Sequence, residues 1–207
     1  MESQARILGV SGGSGSGKTA VAEAILEAVG REHIAFVPLD NYYRDILWQN
    51  VEEIRQHNFD HPASFDWELL AHHLSELRQG RPVDMPLYDF SHHRRRTEVE
   101  RCEPRAVILT EGILLLAEAR IRELLDFKIY VDTDADVRLE RRIRRDMRDR
   151  GRELDDILRQ YMRTVRPMHL EFVEPSKRWA DIILPEGGEN RPALDMVIAR
   201  VERWYQV

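Results

Sequence analysis

Residues 12–19 read Gly12-Gly13-Ser14-Gly15-Ser16-Gly17-Lys18-Thr19, and they fit the spacing G-x-x-x-x-G-K-[ST] in full. Arg6 to Val10 just before them is a short apolar run that reads as a buried strand. Lys18 to Val29 behind them has helical spacing, with Ala20, Val21, Ala24, Ile25 and Ala28 on one side. Strand, glycine loop and helix together make a phosphate cradle. The glycines permit positive φ and bare backbone, so successive N–H groups can face phosphate oxygens. The helix N-terminus adds partial positive charge at the same place. Lys18 is then placed to reach the β- and γ-phosphates of a nucleoside triphosphate, and the Thr19 hydroxyl to ligate Mg²⁺. The competing account is a flexible Gly/Ser loop that happens to contain Lys-Thr, and the full spacing inside a strand–helix frame weighs against it.

Working outward, Ile34 to Leu39 is a second strand pattern ending at Asp40. Phe65 to Gln79 reads as an amphipathic helix stopped by Gly80. Residues 82–102 are polar and rich in His and Arg, and Val83 to Tyr88 and Thr97 to Cys102 can pair as a hairpin. Strand patterns recur at Ala106 to Thr110, Phe127 to Val131 and Asp181 to Leu184. Charged helices are expected at Ala135 to Arg150 and at Glu153 to Arg166, the second ending before Pro167, and a closing helix at Pro192 to Tyr205. Buried strands alternating with helices point to an α/β fold, a parallel sheet with helices on both faces. No repeat or linker interrupts the 207 residues, so one domain over 1–207 is expected.

Composition narrows the class. The net charge of −6 gives no global field toward nucleic acid or an anionic membrane, and neither partner is expected. A single cysteine, Cys102, excludes an internal disulfide and a Cys-rich zinc site. With no apolar stretch near the ~20 residues that span a bilayer, and no signal-peptide pattern, a cytoplasmic protein is expected. Lysine is confined to Lys18, Lys128 and Lys177, so positive charge is otherwise arginine, and eight Arg fall within 138–152.

The loop alone does not name a reaction. No Asn is followed by Lys, which removes the guanine-reading motif of a GTPase. A small-molecule kinase needs an acceptor base, a metal shell and mobile positive charge, and each has a candidate. Asp40 follows a strand, at the end where ligands bind in parallel sheets; a helix cap is the alternative. Glu111 follows another strand and is the candidate second metal anchor, again with a cap as alternative. Spacings of three and four put Arg138, Arg142 and Arg145 on one helical face, suited to a lid over phosphates. A solvated helix neutralised by Glu140, Asp146 and Asp149, or a nucleic-acid-binding helix, competes with that reading. Asp132-Thr133-Asp134-Ala135-Asp136 fails as a calcium loop, because Val137 and Ile143 stand at its Gly and Glu positions; a strand end followed by a helix N-cap is the better account.

Several collinear segments together resemble the uridine kinase (uridine-cytidine kinase) family: GGSGSGKT from 12, LDNYYR from 39, NFDHPASFD from 58, PLYDF from 86, EGIL from 111, RRIRRDMRDRGR from 141 and PMHLEFVEPSKRWAD from 167. The resemblance implies a P-loop αβα sandwich with a five-stranded parallel sheet, a hairpin insertion over 82–102 and an Arg-rich lid over 138–166. It implies ATP- or GTP-dependent phosphorylation of the 5′-hydroxyl of uridine and cytidine. Asp40 would be the base, with Lys18 and Arg145 assisting transfer. Residues Gly12 to Thr19, with Arg150 and Arg152, would hold the donor phosphates. Thr19, Asp40 and Glu111 would surround Mg²⁺. Asp60 and Arg142 would grip the ribose hydroxyls; Tyr43, Phe59 and Gln160 would line the nucleoside site, and Tyr88, Phe90 and His93 would contact the base. Counting five from Tyr88 selects His93 over His92. Without the resemblance, hairpin packing explains Tyr88 and Phe90, and a polar loop explains both histidines. The family is typically homotetrameric, works in pyrimidine salvage and is inhibited by UTP and CTP. A sugar-phosphate kinase of the phosphoribulokinase type and a non-catalytic nucleotide-binding regulator are the alternatives.

Overall fold

The computed structural model describes residues 4–205. Its strands are β1 (Arg6–Gly12), β2 (Ile34–Pro38), β3 (Val83–Asp89), β4 (Arg94–Cys102), β5 (Val107–Gly112), β6 (Phe127–Asp132) and β7 (Ile182–Pro185). Its α-helical segments are α1 (Lys18–Val29), α2 (Val51–Gln56), α3 (Trp67–Arg78), α4 (Ala119–Leu124), α5 (Ala135–Arg150), α6 (Leu154–Gln160), α7 (Arg166–Met168), α8 (Glu174–Ser176) and α9 (Arg191–Glu202). Five strands form a parallel sheet in the order β2-β5-β1-β6-β7, and β3 pairs antiparallel with β4 as a separate hairpin. The expected α/β architecture is therefore observed.

Alternation along each central strand builds two apolar layers. Leu8, Val10, Val107, Leu109, Ile129 and Val131 join Val21, Ile25, Leu194 and Val197 of α1 and α9 on one face. Ile7, Ile108 and Tyr130 join Leu70, Leu74 and Ile121 of α3 and α4 on the other, together with Val83, Met85 and Tyr88 of the hairpin. Ile7, Leu8, Val10 and Ile108 are fully buried, each contributing ~1.5–3 kcal/mol of transfer free energy. Strands covered on both faces carry apolar residues at successive positions, which is why Ile7-Leu8 and Val107-Ile108-Leu109 read as continuous runs.

Several expected boundaries move. The second strand ends at Pro38, and Leu39–Tyr42 forms a 3₁₀ turn that carries Asp40. Glu111 lies inside β5 rather than after it. Helix α3 begins at Trp67, because the Asp66 side chain accepts from the backbone N–H of Leu69. Asp132 does end a strand, but Asp134 at the N-cap of α5 makes no side-chain capping bond. The largest departure is the expected stop before Pro167. Helical backbone instead runs on through Tyr161–Val165, α7, His169–Val173, α8 and Lys177–Trp179. Tyr161–Val165 and His169–Val173 are π-helical, and each is followed by a short segment with proline in its first turn. Proline lacks an N–H and its ring collides with the carbonyl four residues back; a widened turn skips that bond and relieves the collision. Among the described residues no helix is long and apolar enough to cross a membrane.

Candidate active site

The loop between β1 and α1 is shaped by what packs behind it. Gly15 has φ +80°, and a Cβ there would stand 2.3 Å from the carbonyl oxygen of Arg138. Arg138, buried, donates through Nε to the carbonyl of Thr133 at 3.0 Å, and its Nη2 meets Nε2 of His169 at 3.1 Å. Burial first, then the Arg138 charge, lowers the His169 pKa to about 4, so this imidazole is neutral and accepts from the guanidinium. The Thr133 hydroxyl donates to the carbonyl of Ser16 at 2.9 Å. These contacts fix the loop's inner side and leave Gly15, Gly17, Lys18 and Thr19 to line a cavity of about 180 Å³ with Arg141 and Arg145.

Glu111 rises beside this cavity. Its Oε1 accepts from the Thr19 hydroxyl at 3.5 Å, and its Oε2 lies 4.0 Å from Lys18 Nζ. Oε2 is buried without a hydrogen-bond partner. Burial raises the Glu111 pKa and the Lys18 charge pulls it back. An orphaned carboxylate oxygen next to a hydroxyl is a donor set that fits Mg²⁺, an ion that takes one or two carboxylates and completes its shell from phosphates and water.

A larger cavity of about 1070 Å³ adjoins the first, and Lys18 and Arg145 line both. Its walls include Ser14, Asp40, Tyr43, Phe59, Asp60 and Ile113, with Tyr88, Phe90 and His93 from the hairpin, Arg142 and Arg150 from α5, Arg152 from the turn after it and Gln160 from α6. Asp60 is buried, which raises its pKa against the pull of Arg142. Arg142 itself directs Nη1 to Ser14 Oγ at 2.8 Å and Nη2 to Gln160 Oε1 at 3.0 Å. The expected pairing of Asp60 with Arg142 is thus a shared cavity wall in this structure, while the bonded partners of Arg142 are Ser14 and Gln160.

Rings dominate one end. The Tyr43 ring lies 5.0 Å from Tyr88, 6.0 Å from Phe59 and 6.2 Å from Phe90, centroid to centroid. His93 packs on Phe59 at 4.8 Å and has φ +50°, a left-handed conformation that costs a non-glycine residue ~1 kcal/mol. Trp48 holds it there, its Nε1 donating to the His93 carbonyl at 2.6 Å. Burial first, then Arg152 and Arg150, lowers the His93 pKa. His92 points away, pairs with Asp89 at 2.9 Å and is exposed.

The arginine run divides by surroundings. Arg144 pairs with Glu140 and Arg148 with Asp149 on the exposed side. Arg142, Arg145, Arg150 and Arg152 converge on Asp146, which is 0% exposed. The competing account of this helix made Asp146 one of three acids on a solvated face; it is instead the buried anchor of the inner arginines. Arg150 also stacks 5.3 Å over the Phe90 ring, and Arg152 donates to Gln160 Oε1 at 2.6 Å. Both line the larger cavity, whereas the sequence reading put them on donor phosphates. Trp48 and Asp146 were missed: Trp48 sits in no periodic element, and Asp146 looked like one more charge on a charged helix.

The phosphoribulokinase / uridine kinase family matches residues 7–193. A uridine kinase of Chloroflexus aurantiacus is 52% identical over 200 residues, covering 97% of this chain and 96% of its own. A uridine kinase of Clostridium tetani is 49% identical over 200 residues, with the same coverage. Among solved structures, phosphoribulokinase from Rhodobacter spheroides superposes with a TM-score of 0.62 at 16% identity, over 89% of this chain and 71% of that one. D-glycerate 3-kinase from Cryptococcus neoformans gives 0.60 at 17% identity, over 88% and 87%. At such identities the structural matches speak to the fold.

Proposed function

The chain belongs to the phosphoribulokinase / uridine kinase family, and from that premise we propose that it transfers the γ-phosphoryl group of ATP or GTP to the 5′-hydroxyl of uridine and cytidine. The observation that carries the reading is that Lys18 and Arg145 line both cavities, so a phosphate cradle and a ring-lined pocket meet across two cations. The relatives at about half identity carry the name uridine kinase, which points to a nucleoside in the second pocket.

In this reading the backbone from Gly12 to Thr19 holds the donor phosphates. Thr19, Asp40 and Glu111 hold Mg²⁺, which when bound neutralises charge on the phosphates. Asp40 accepts the proton of the 5′-hydroxyl as its oxygen attacks the γ-phosphorus and the nucleoside diphosphate leaves. Lys18 and Arg145 stabilise the charge that develops in transfer. Asp60 and Arg142 bind the ribose diol, with Gln160 orienting Arg142. Tyr43, Phe59, Tyr88 and Phe90 enclose the pyrimidine. A neutral His93 presents a donor or an acceptor by tautomer, so it can meet either the uracil carbonyl or the cytosine amine. Arg150 and Arg152 complete the lid. Work in pyrimidine salvage in the cytoplasm, a homotetramer and inhibition by UTP and CTP belong to the same proposal through the family.

The arginines around the acceptor cavity also suit a phosphorylated acceptor, which makes a sugar phosphate the second reading. A coupled ADP assay with uridine, cytidine, ribulose 5-phosphate and pantothenate separates them. Turnover is expected with uridine and cytidine. Asp40→Asn should lower kcat by ~10²–10⁴-fold while ATP binding persists. Turnover with a sugar phosphate alone, or wild-type turnover in Asp40→Asn, would overturn the reading.

A further inference from the structure

The hairpin that carries Tyr88, Phe90 and His93 and the turn that carries Asp40 lie far apart in the chain, and one side chain ties them together. Arg95 stands on β4 opposite Tyr88. Its Nε donates to the carbonyl oxygen of Tyr43 at 2.9 Å, and its Nη2 donates to Oδ2 of Asp66 at 3.1 Å. Its backbone N–H donates to Oδ1 of Asp45 at 3.2 Å. The side chain is 19% exposed and is absent from the walls of both cavities.

Its receivers are themselves anchored. The other carboxylate oxygen of Asp66, Oδ1, accepts from the Leu69 N–H at 3.2 Å and caps α3, and the Asp66 N–H donates to the Tyr42 carbonyl at 2.8 Å. The Tyr42 hydroxyl meets Nδ1 of buried His73 on the same helix at 2.9 Å. The chain just after Asp40 is therefore pinned to α3 on one side and to the hairpin on the other. A guanidinium suits this position, because its planar fork serves two acceptors at a fixed angle, which an ammonium cannot do.

We propose that Arg95 is a positioning residue: it sets the separation between the aromatic grip on the hairpin and the Asp40 carboxylate, so that an acceptor held by its ring presents its hydroxyl to Asp40. This rests on the reading of Asp40 as the base. Arg95 touches no reacting atom, so its loss acts on turnover rather than on donor binding. An error of an ångström at the reacting atoms costs about 10²-fold in rate.

The test is steady-state kinetics of the full chain with uridine and ATP. Arg95→Ala should lower kcat by about 10²-fold and leave KM for ATP within about a factor of two. Arg95→Lys should recover only part of the loss. Asp66→Asn keeps an oxygen for the α3 cap but loses the charge that faces Arg95. It should reproduce part of the Arg95→Ala loss, and the double variant should lose little more than Arg95→Ala alone. A wild-type kcat in Arg95→Ala, full rescue by lysine, or additive losses in the double variant overturns the inference. So does a KM for ATP that rises as far as kcat falls, the mark of general disruption. Absence of uridine turnover in the wild type overturns the acceptor reading and this inference with it; wild-type turnover that Arg95→Ala leaves intact overturns this inference alone.

Discussion

Replacing Asp146 removes the buried carboxylate that the four inner arginines share. Its oxygens lie 2.8 Å from Arg145, 3.4 Å from Arg150, 3.5 Å from Arg152 and 3.7 Å from Arg142. At such distances and an effective dielectric of ~20, each pair attracts by about 4–6 kcal/mol before any cost is subtracted. The costs are large. Arg145, Arg150 and Arg152 are 36%, 36% and 30% exposed, so water screens them, and burying the carboxylate takes back several kcal/mol. What remains for Asp146→Ala is the loss typical of breaking a buried pair from one side, about 3 kcal/mol. For a chain of this size that is a fall in Tm of roughly 6–12 °C. Asp146→Asn keeps the shape and one acceptor for Arg145, and should lose about half as much. The freed guanidiniums also repel one another where the two cavities meet, so KM for both ATP and uridine should rise. Thermal unfolding followed by circular dichroism and initial-rate kinetics read the two effects. A Tm within about 2 °C of wild type in Asp146→Ala, with both KM values unchanged, would refute the idea that Asp146 organises the lid.

Asp60→Asn should stabilise the protein while harming it as an enzyme. Burial raises the folded pKa of Asp60 above its unfolded value of ~3.9; the folded chain then holds a proton that the unfolded chain has lost, and this group makes stability fall as pH rises from the unfolded pKa through the folded one. Tm of Asp60→Asn should therefore exceed wild type at neutral and higher pH and converge with it in acid, while KM for uridine rises by ~10–100-fold through the lost charged hydrogen bond. A lower Tm at neutral pH or an unchanged uridine KM would count against it. Gly15→Ala places a Cβ 2.3 Å from a backbone oxygen at φ +80°, and titration calorimetry with a non-hydrolysable ATP analogue should show at least about a tenfold loss of affinity; wild-type affinity would mean that the loop does not hold phosphate as drawn.

How much of this was legible in the sequence depended on the range of the forces involved. The strand–loop–helix unit around Gly12 to Thr19 is local, and Lys18–Val29 appears as read. The central strands are legible because both faces are buried, which leaves no polar alternation to mislead. Boundaries were lost where a side chain decides them, as Asp66 does for α3. Asp40 and Glu111 could be placed at the ends of strands, but whether they capped a helix or faced a cavity was a tertiary question. The family resemblance, rather than any periodicity, picked out Tyr88, Phe90 and His93. The choice of His93 over His92 rested on a count of five, and the left-handed backbone at His93 is what turns one ring toward the cavity and leaves the other in solvent.

The helical run past Pro167 shows why proline punctuation misled. A regular helix would have ended there, and the chain from 167 onward would have been free to leave. The π-helical turns let one irregular helix run from Leu154 to Trp179. Near its start Gln160 accepts from Arg142 and Arg152 beside the larger cavity. Further on, His169 receives Arg138 behind the phosphate loop, and Lys177 reaches the strand-end carboxylate of Asp132 at 2.5 Å. Arg138 and Arg142 are one turn apart on α5, so the two helices are stitched at adjacent turns, one stitch beside the larger cavity and one behind the glycine loop. A shift of either helix along the other would break both stitches together. The widened turns therefore do more than tolerate proline: they keep Gln160 and His169 on one continuous element that contacts α5 beside both cavities.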